Sequence, residues 1–229
     1  MGGQACVFYG AAEFSRDLDL LVLADAESLD LLRKALTLVA AESIGVPALD
    51  ASLLERGHAV HFRCRREEVA GLRIDVMSKL RGVDGFEDLW VRRTTIVVDS
   101  VEVDMLALED LVRAKKTQRD KDWPMIRRLL EQAYFSWALP LGEERIDYLL
   151  RELRSPELLL ALVRSYPEAA AREALTRVAV SSALEASTGA VVAALAAEEA
   201  VEREKDRAYW APLKRELEQL RRARNSLLA

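Results

Sequence analysis

Ser15-Arg-Asp-Leu-Asp-Leu-Leu-Val22 is the stretch that decides the fold of this chain. Its two acids, Asp17 and Asp19, alternate with leucines and lead into an apolar run. On a β-strand, a period of two places both carboxylates on one face and Leu18 and Leu20 on the other. Neighbouring like charges destabilise a sheet, and a divalent cation bound to both acids would compensate for the repulsion. The pattern therefore predicts either a metal-binding Asp-x-Asp or a solvated acidic strand end.

The bulk composition is that of an ordinary soluble globular protein. The chain has 229 residues, of which 51% are hydrophobic and 31% charged, enough for one domain or two small ones. A formal net charge of -5 gives no global case for binding nucleic acid. Two distant cysteines, Cys6 and Cys64, argue for a reducing compartment. No signal peptide or bilayer-length apolar run is visible, so we predict a cytoplasmic protein without a membrane partner.

The first 104 residues mix helical and strand patterns. Apolar residues at helical spacing predict a helix over 26–42. The alternating segments 59–64 and 71–77 predict a hairpin with its turn at 65–69. Cys64 shares a face with Val60 and Phe62 and is therefore predicted to be a core thiol. A short helix and two extended segments are predicted further along, at 86–91, 94–98 and 101–105.

The strand signal ends near residue 107, and amphipathic helices follow. We predict one helix from 107, another from near Pro124, and a final helix opened by Pro212. Between them lie predicted helices at 143–153, 156–165, 167–187 and 190–210. The predicted fold class is thus α+β: a small mixed sheet flanked by helices over 1–104, followed by an all-helical domain over 105–229.

A third acid strengthens the metal hypothesis. Asp75 lies in the apolar strand 71–77, on the face opposite Leu72, Ile74 and Val76. The Gly-Gly pair at residues 2 and 3 predicts a tight turn opening a short helix, whose free N–H groups attract anions. Carboxylate oxygens are the ligands that Mg²⁺ prefers. Phosphoryl transfer needs these parts, because the protein mainly positions groups and neutralises developing charge.

Together, Gly2-Gly3, Ser15-Arg16-Asp17-Leu18-Asp19-Leu20 and Ile74-Asp75-Val76 resemble the nucleotidyltransferase superfamily with the polymerase-β-type core. The resemblance covers roughly residues 1 to 104 and implies that family's small mixed sheet. It implies three catalytic carboxylates that bind Mg²⁺ or Mn²⁺, namely Asp17, Asp19 and Asp75. It also implies contacts to the nucleotide phosphates from Gly2, Gly3, Ser15 and Arg16.

A second segment, residues 109–122, resembles the helical part of abortive-infection toxin-type nucleotidyltransferases. There, a lysine on a helix and a following charged turn border the nucleotide site. The resemblance implies that Lys115 and Lys116 bind nucleotide phosphate, with Asp122 as a supporting polar residue. The alternative is a solvated charged helix end, which is what charge runs usually are.

The resemblance implies Mg²⁺-dependent transfer of a nucleoside monophosphate from an NTP, ATP among the candidates, to a hydroxyl. The acceptor would be RNA, a protein or a small molecule. The resemblance also implies a toxin-like role as one form of this activity. The alternative is a catalytically silent protein of this fold that binds nucleotide or a partner. No oligomer is indicated.

One departure concerns the start of the sequence. In the family a helix and a strand precede the glycine pair, whereas here Met1 stands directly before Gly2. We therefore predict a mobile or displaced Gly2–Gly3. His58 and His61, three residues apart on a predicted strand, face opposite ways and cannot chelate one metal together.

Overall fold

The structure is a computed structural model that describes residues 1–137 and 140–228, with side chains as far as residue 226. The chain forms two compact units. One contains Met1–Lys115 and the chain from Asp206 onward, and the other contains Lys116–Lys205. The sequence placed a boundary after residue 104, where the strand signal ends. The first unit found here extends further, because it includes the helix that follows residue 107 and the end of the last helix.

A four-stranded mixed sheet organises the first unit. Its strands stand in the order β1-β4-β3-β2, with β1 parallel to β4 and the other pairs antiparallel. The predicted strand at the Asp-x-Asp and the predicted hairpin are both confirmed, and a 3₁₀ turn at Glu67–Val69 lies between the hairpin strands. The strands are β1 (Asp17–Leu21), β2 (Ala41–Ser43), β3 (Val60–Cys64) and β4 (Arg73–Met77).

Three helices accompany this sheet: α1 (Gly2–Phe8), α2 (Ala26–Leu38) and α3 (Ala51–Glu55). The Asp25 carboxylate caps α2 by accepting the Ser28 N–H at 2.8 Å. The predicted helix over 26–42 is too long, because the chain turns at Ala40, whose φ is +46°, and then pairs with β3 as β2. Local helical spacing cannot foresee this strand pairing.

The core of the first unit lies between α2 and one face of the sheet. Side chains spaced along α2 pack on alternate residues of β3 and β4, which is why both periodicities were visible in the sequence. Cys64 is only 1% exposed, which confirms the prediction of a core thiol. Removing these side chains from water is the main stabilising contribution in this unit. The buried cluster consists of Leu29, Leu32, Leu36, Leu54, Val60, Phe62, Cys64, Ile74 and Val76.

The remaining elements of the first unit confirm the predicted pattern: α4 (Phe86–Val91), an antiparallel ribbon of β5 (Thr94–Val98) and β6 (Val101–Met105), and α5 (Leu108–Ala114). The Tyr9 hydroxyl, just after α1, lies 2.8 Å from Thr94 Oγ1 and donates to the Leu106 carbonyl at 2.9 Å. These contacts fix the end of α1 against the ribbon.

Helices alone make up the second unit, as far as the structure describes it. They are α6 (Asp122–Ser136), α7 (Glu143–Glu152), α8 (Pro156–Ser165), α9 (Pro167–Glu173), α10 (Val178–Leu184) and the first part of α11 (Thr188–Leu228). The single helix predicted over 167–187 is wrong, since α9 and α10 are separate. None of the described helices combines the length and the hydropathy needed to cross a bilayer.

The last helix differs from its prediction. Pro212 lies inside α11 and does not open a new helix. A proline removes one N–H donor from a helix interior, and contacts on either side can outweigh that loss. Here Asp206 accepts from Arg81 Nε at 3.0 Å, and Glu216 lies 2.8 Å from His58 Nε2. With the sheet and the helical region, the architecture is α+β, as predicted.

Candidate functional site

The three predicted carboxylates lie on one face of the sheet. β1 and β4 are parallel neighbours, with Asp19 in register with Asp75 and Asp17 in register with Arg73. In-register residues on adjacent strands point the same way, and Asp17 and Asp19 share a face by the two-residue period. All three acids are half-buried. Two carboxylates directly side by side repel each other, so this face requires compensating positive charge or hydrogen-bond donors.

Asp75 receives much of that compensation from the protein. Its Oδ1 accepts from Arg73 Nε at 2.7 Å and lies 2.8 Å from His61 Nδ1. Burial raises the pKa of Asp75, but the hydrogen bonds from His61 and Arg73 outweigh burial and leave the pKa below its usual value. Asp75 therefore stays ionised at neutral pH.

Asp19 is held by the glycine pair. The Gly3 N–H donates to Asp19 Oδ2 at 3.2 Å, at the first turn of α1. Gly2 has a φ of +66°, and a Cβ there would lie 1.9 Å from the same oxygen. A Cβ on Gly3 would lie 2.3 Å from Ser15 Oγ. Both positions thus require glycine, for conformation or for close approach.

The prediction of a mobile or displaced Gly2–Gly3 is wrong. These residues begin α1 and lie directly against Asp19. The side chain of Gln4 adds a further bond, from Nε2 to the Ser15 carbonyl at 3.2 Å. The backbone amide that the family resemblance assigns to phosphate is satisfied here by a carboxylate of the chain itself.

The residues around Asp17 have different roles from those implied. The Asp17 carboxylate makes no hydrogen bond with any described residue. Ser15 Oγ donates to the backbone carbonyl of Asp17 at 3.1 Å and so fixes the entry to β1. Arg16 is exposed, and its guanidinium lies 5.8 Å from the ring centroid of Phe14.

The two predicted lysines belong to different units. Lys115 follows α5 and is buried. Burial lowers the pKa of the Met1 amino group, Asp19 raises it and Lys115 lowers it further, so Lys115 lies near this amino group, which donates to the Asp19 carbonyl at 3.0 Å. Lys116 belongs to the second unit, where its Nζ lies 2.7 Å from Glu152 Oε2.

Asp122, the implied supporting residue, is also in the second unit. It is buried and accepts from Arg119 Nε at 2.7 Å, and Thr117 Oγ1 donates to the same oxygen. The Trp123 indole N–H donates to the Thr117 carbonyl at 2.8 Å. These bonds fix the turn that precedes α6.

Sequence reasoning missed the two partners of Asp75. Arg73 shares the face of Asp75 by the two-residue period of a strand, and His61 lies on the other predicted strand of the hairpin, but neither residue was assigned a role from the sequence. The available signal was the hairpin itself, because β3 had to lie beside β4. The register that sets His61 opposite Asp75 comes only from the tertiary structure.

The donor set around these acids fits a hard divalent cation in its chemistry. Asp17, Asp19 and Asp75 offer carboxylate oxygens only, as Mg²⁺ prefers. One oxygen each of Asp19 and Asp75 is already bound by protein donors, and Asp17 has no such bond. Within residues 1–137 and 140–228, no three His, Cys, Asp or Glu side chains converge closely enough to hold a metal ion.

An open cleft of about 480 Å³ lies beside β1 in the same unit. Aromatic and aliphatic side chains line most of it. The Trp90 ring stacks on Phe86 with centroids 5.7 Å apart, and the Arg93 guanidinium lies 4.0 Å from the Trp90 ring centroid. The other lining residues include Met1, Leu20, Leu21, Leu89, Asp104, Met105 and Leu106.

No family model, no curated protein and no solved structure matches this chain. The functional argument therefore rests on the geometry of the acidic face and its surroundings.

Proposed function

We propose that this chain is a Mg²⁺-dependent nucleotidyltransferase, which moves a nucleoside monophosphate from an NTP to a hydroxyl of RNA, a protein or a small molecule. The observation that carries the proposal is the register of Asp19 against Asp75, with Asp17 on the same face and the glycine turn at Asp19. Three carboxylates on one face of the sheet, beside a glycine turn and a buried lysine, are the kinds of group that a metal-bound triphosphate requires.

Asp17 and Asp19 would hold the metal, beside Asp75 on the neighbouring strand. When bound, Mg²⁺ neutralises charge on the triphosphate and on the departing pyrophosphate. The amides of Gly2 and Gly3 would bind phosphate oxygens once the Asp19 carboxylate turns to the metal. Lys115 would add a positive charge from the end of α5.

Arg73 and His61 orient Asp75 by binding its Oδ1, which leaves Oδ2 for the acceptor. The acceptor oxygen bonds to the α-phosphorus, the bond from that phosphorus to pyrophosphate breaks, and the hydroxyl proton passes to Asp75. The cleft lined by Phe86 and Trp90 would take the base, because apolar and aromatic walls favour a flat ring.

The direct test is transfer of radiolabel from each α-labelled NTP, with Mg²⁺ or Mn²⁺, to cellular RNA, protein and small-molecule fractions. The wild type should transfer label, and Asp17→Asn should not. Asp30→Asn is the matched control, since Asp30 is an exposed acid of α2 bound only to Arg33. Equal transfer by the wild type and Asp17→Asn would contradict the proposal.

A second candidate is a catalytically silent protein of the same fold that binds nucleotide or a partner. The observation that favours it is that protein donors already engage one oxygen of Asp19 and one of Asp75. Nucleotide binding by calorimetry, without transfer to any fraction, would support this candidate.

A toxin-like role of the enzyme predicts growth arrest on expression that Asp75→Asn relieves.

A further inference from the structure

The second unit contains an open groove of about 1050 Å³, lined by residues of that unit. One wall is α11 and the others come from the segments 151–154 and 173–178. Small and aliphatic residues of this lining include Ala194, Ala197 and Val201. Positive side chains outnumber the acids around the groove: Lys116, Arg151, Arg154, Arg177 and Lys205, against Glu173, Glu198 and Glu202.

Two buried arginines share one carboxylate in this groove. Arg177 Nε lies 3.0 Å from Glu198 Oε1, and Arg154 Nη1 lies 2.8 Å from Glu198 Oε2. Arg177 also donates to the carbonyls of Leu150 and Leu153, so each nitrogen of its guanidinium bonds to the protein. The two guanidinium groups thus share the carboxylate of Glu198, and Glu152 and Glu199 lie near enough to act on Arg154.

Arg154 is the incompletely satisfied member of this group. Its side chain is only 9% exposed, and its Nε is buried without a hydrogen-bond partner among the described residues. Burial and the neighbouring Arg177 lower the pKa of Arg154 by more than Glu198, Glu152 and Glu199 raise it. Nε and Nη2 together form the edge with which arginine binds a phosphate or carboxylate bidentately.

We propose that this groove binds the phosphate group of a small phosphorylated ligand, through the Nε–Nη2 edge of Arg154. Arg151 at the groove adds positive charge, Lys205 is paired there with Glu202 at 2.8 Å, and the aliphatic residues contact the rest of the ligand. A small ligand is favoured over a polynucleotide, because a chain with a net charge of -5 has no overall attraction for a polyanion. The inference does not depend on the proposed nucleotidyl transfer.

The test is calorimetric titration of the full chain with inorganic phosphate, in EDTA and without nucleotide, at constant ionic strength. Arg154→Lys keeps the charge but removes the bidentate edge, and should weaken phosphate binding at least tenfold. Arg128→Gln is the matched control. Arg128 is exposed in the same unit and lies outside the groove lining, so the affinity of this variant for phosphate should stay within twofold of the wild type.

Absence of phosphate binding by the wild type, or equal affinity in Arg154→Lys, would overturn the proposal. Acetate binding as tightly as phosphate would overturn the assignment to phosphate, and tighter binding of a short RNA would overturn the small-ligand assignment. If Arg154→Lys fails to fold by circular dichroism, the double variant Arg151→Gln/Lys205→Gln replaces it. That variant changes two side chains of the groove lining and should weaken binding at least threefold, and unchanged affinity would again refute the site.

Discussion

Arg73→Met tests whether protein groups stabilise the acidic face. The change keeps much of the aliphatic stem and removes the hydrogen bond from Nε to Asp75 Oδ1, which is 2.7 Å long. A hydrogen bond to a charged group contributes about 1.5–3 kcal/mol. The Arg73 side chain is 38% exposed, so we expect solvent screening to reduce the loss to about 1–2 kcal/mol. Without the Arg73 guanidinium, the repulsion between the Asp19 and Asp75 carboxylates is less compensated.

The assay is urea unfolding of the wild type, Arg73→Met, Asp75→Asn and the double variant. In the Asp75→Asn background the Arg73 substitution should lose most of its effect, giving a coupling of about 1 kcal/mol or more. Arg63→Met is the control, because Arg63 is exposed on β3 in register with Arg73 and forms no ion pair with an acid of this face within residues 1–137 and 140–228. A coupling below about 0.3 kcal/mol would refute the reasoning.

The stabilisation lost in Arg73→Met should depend on pH. The pKa of Asp75 in the folded chain lies below its ordinary value of 3.8, so its contribution to stability is present above pH 3.8 and is lost as pH falls through the lowered pKa. The difference in unfolding free energy between wild type and Arg73→Met should therefore be larger at pH 7 than at pH 3. A difference independent of pH would show that Arg73 does not act through Asp75. Unfolding curves at both pH values measure it.

Three further substitutions probe the first unit. Gly2→Ala should lower the unfolding free energy by about 2 kcal/mol or more in urea, because it strains a positive φ and places a Cβ against Asp19; unchanged stability would argue against this close approach. Pro212→Ala should raise the free energy of unfolding by at most about 3 kcal/mol, and with it the melting temperature. A lower melting temperature would contradict a continuous α11. Asp206→Ala should lower the free energy of unfolding by about 3–5 kcal/mol, because it leaves Arg81, whose side chain is 14% exposed, without that carboxylate. A decrease of less than about 1 kcal/mol in chemical unfolding would count against a buried ion pair.

Where local periodicity specifies the structure, the sequence predictions were confirmed. The strand at Asp17 and Asp19, the hairpin of β3 and β4, and the short helix α4 all follow from spacing within a few residues. The predictions were wrong where distant contacts compete with local preference. β2 interrupts the predicted end of α2 by pairing with β3, and α11 continues through Pro212.

The candidate site divides in the same way. The sequence by itself determined which faces of β1 and β4 carry Asp17, Asp19 and Asp75, because side chains alternate along any strand. Only the tertiary structure decided that β1 lies directly beside β4, that Asp19 meets Asp75, and that His61 and Arg73 bind the Asp75 carboxylate. The physical reason is that strand order and register depend on pairing between segments far apart in the chain, where no local pattern specifies the partner.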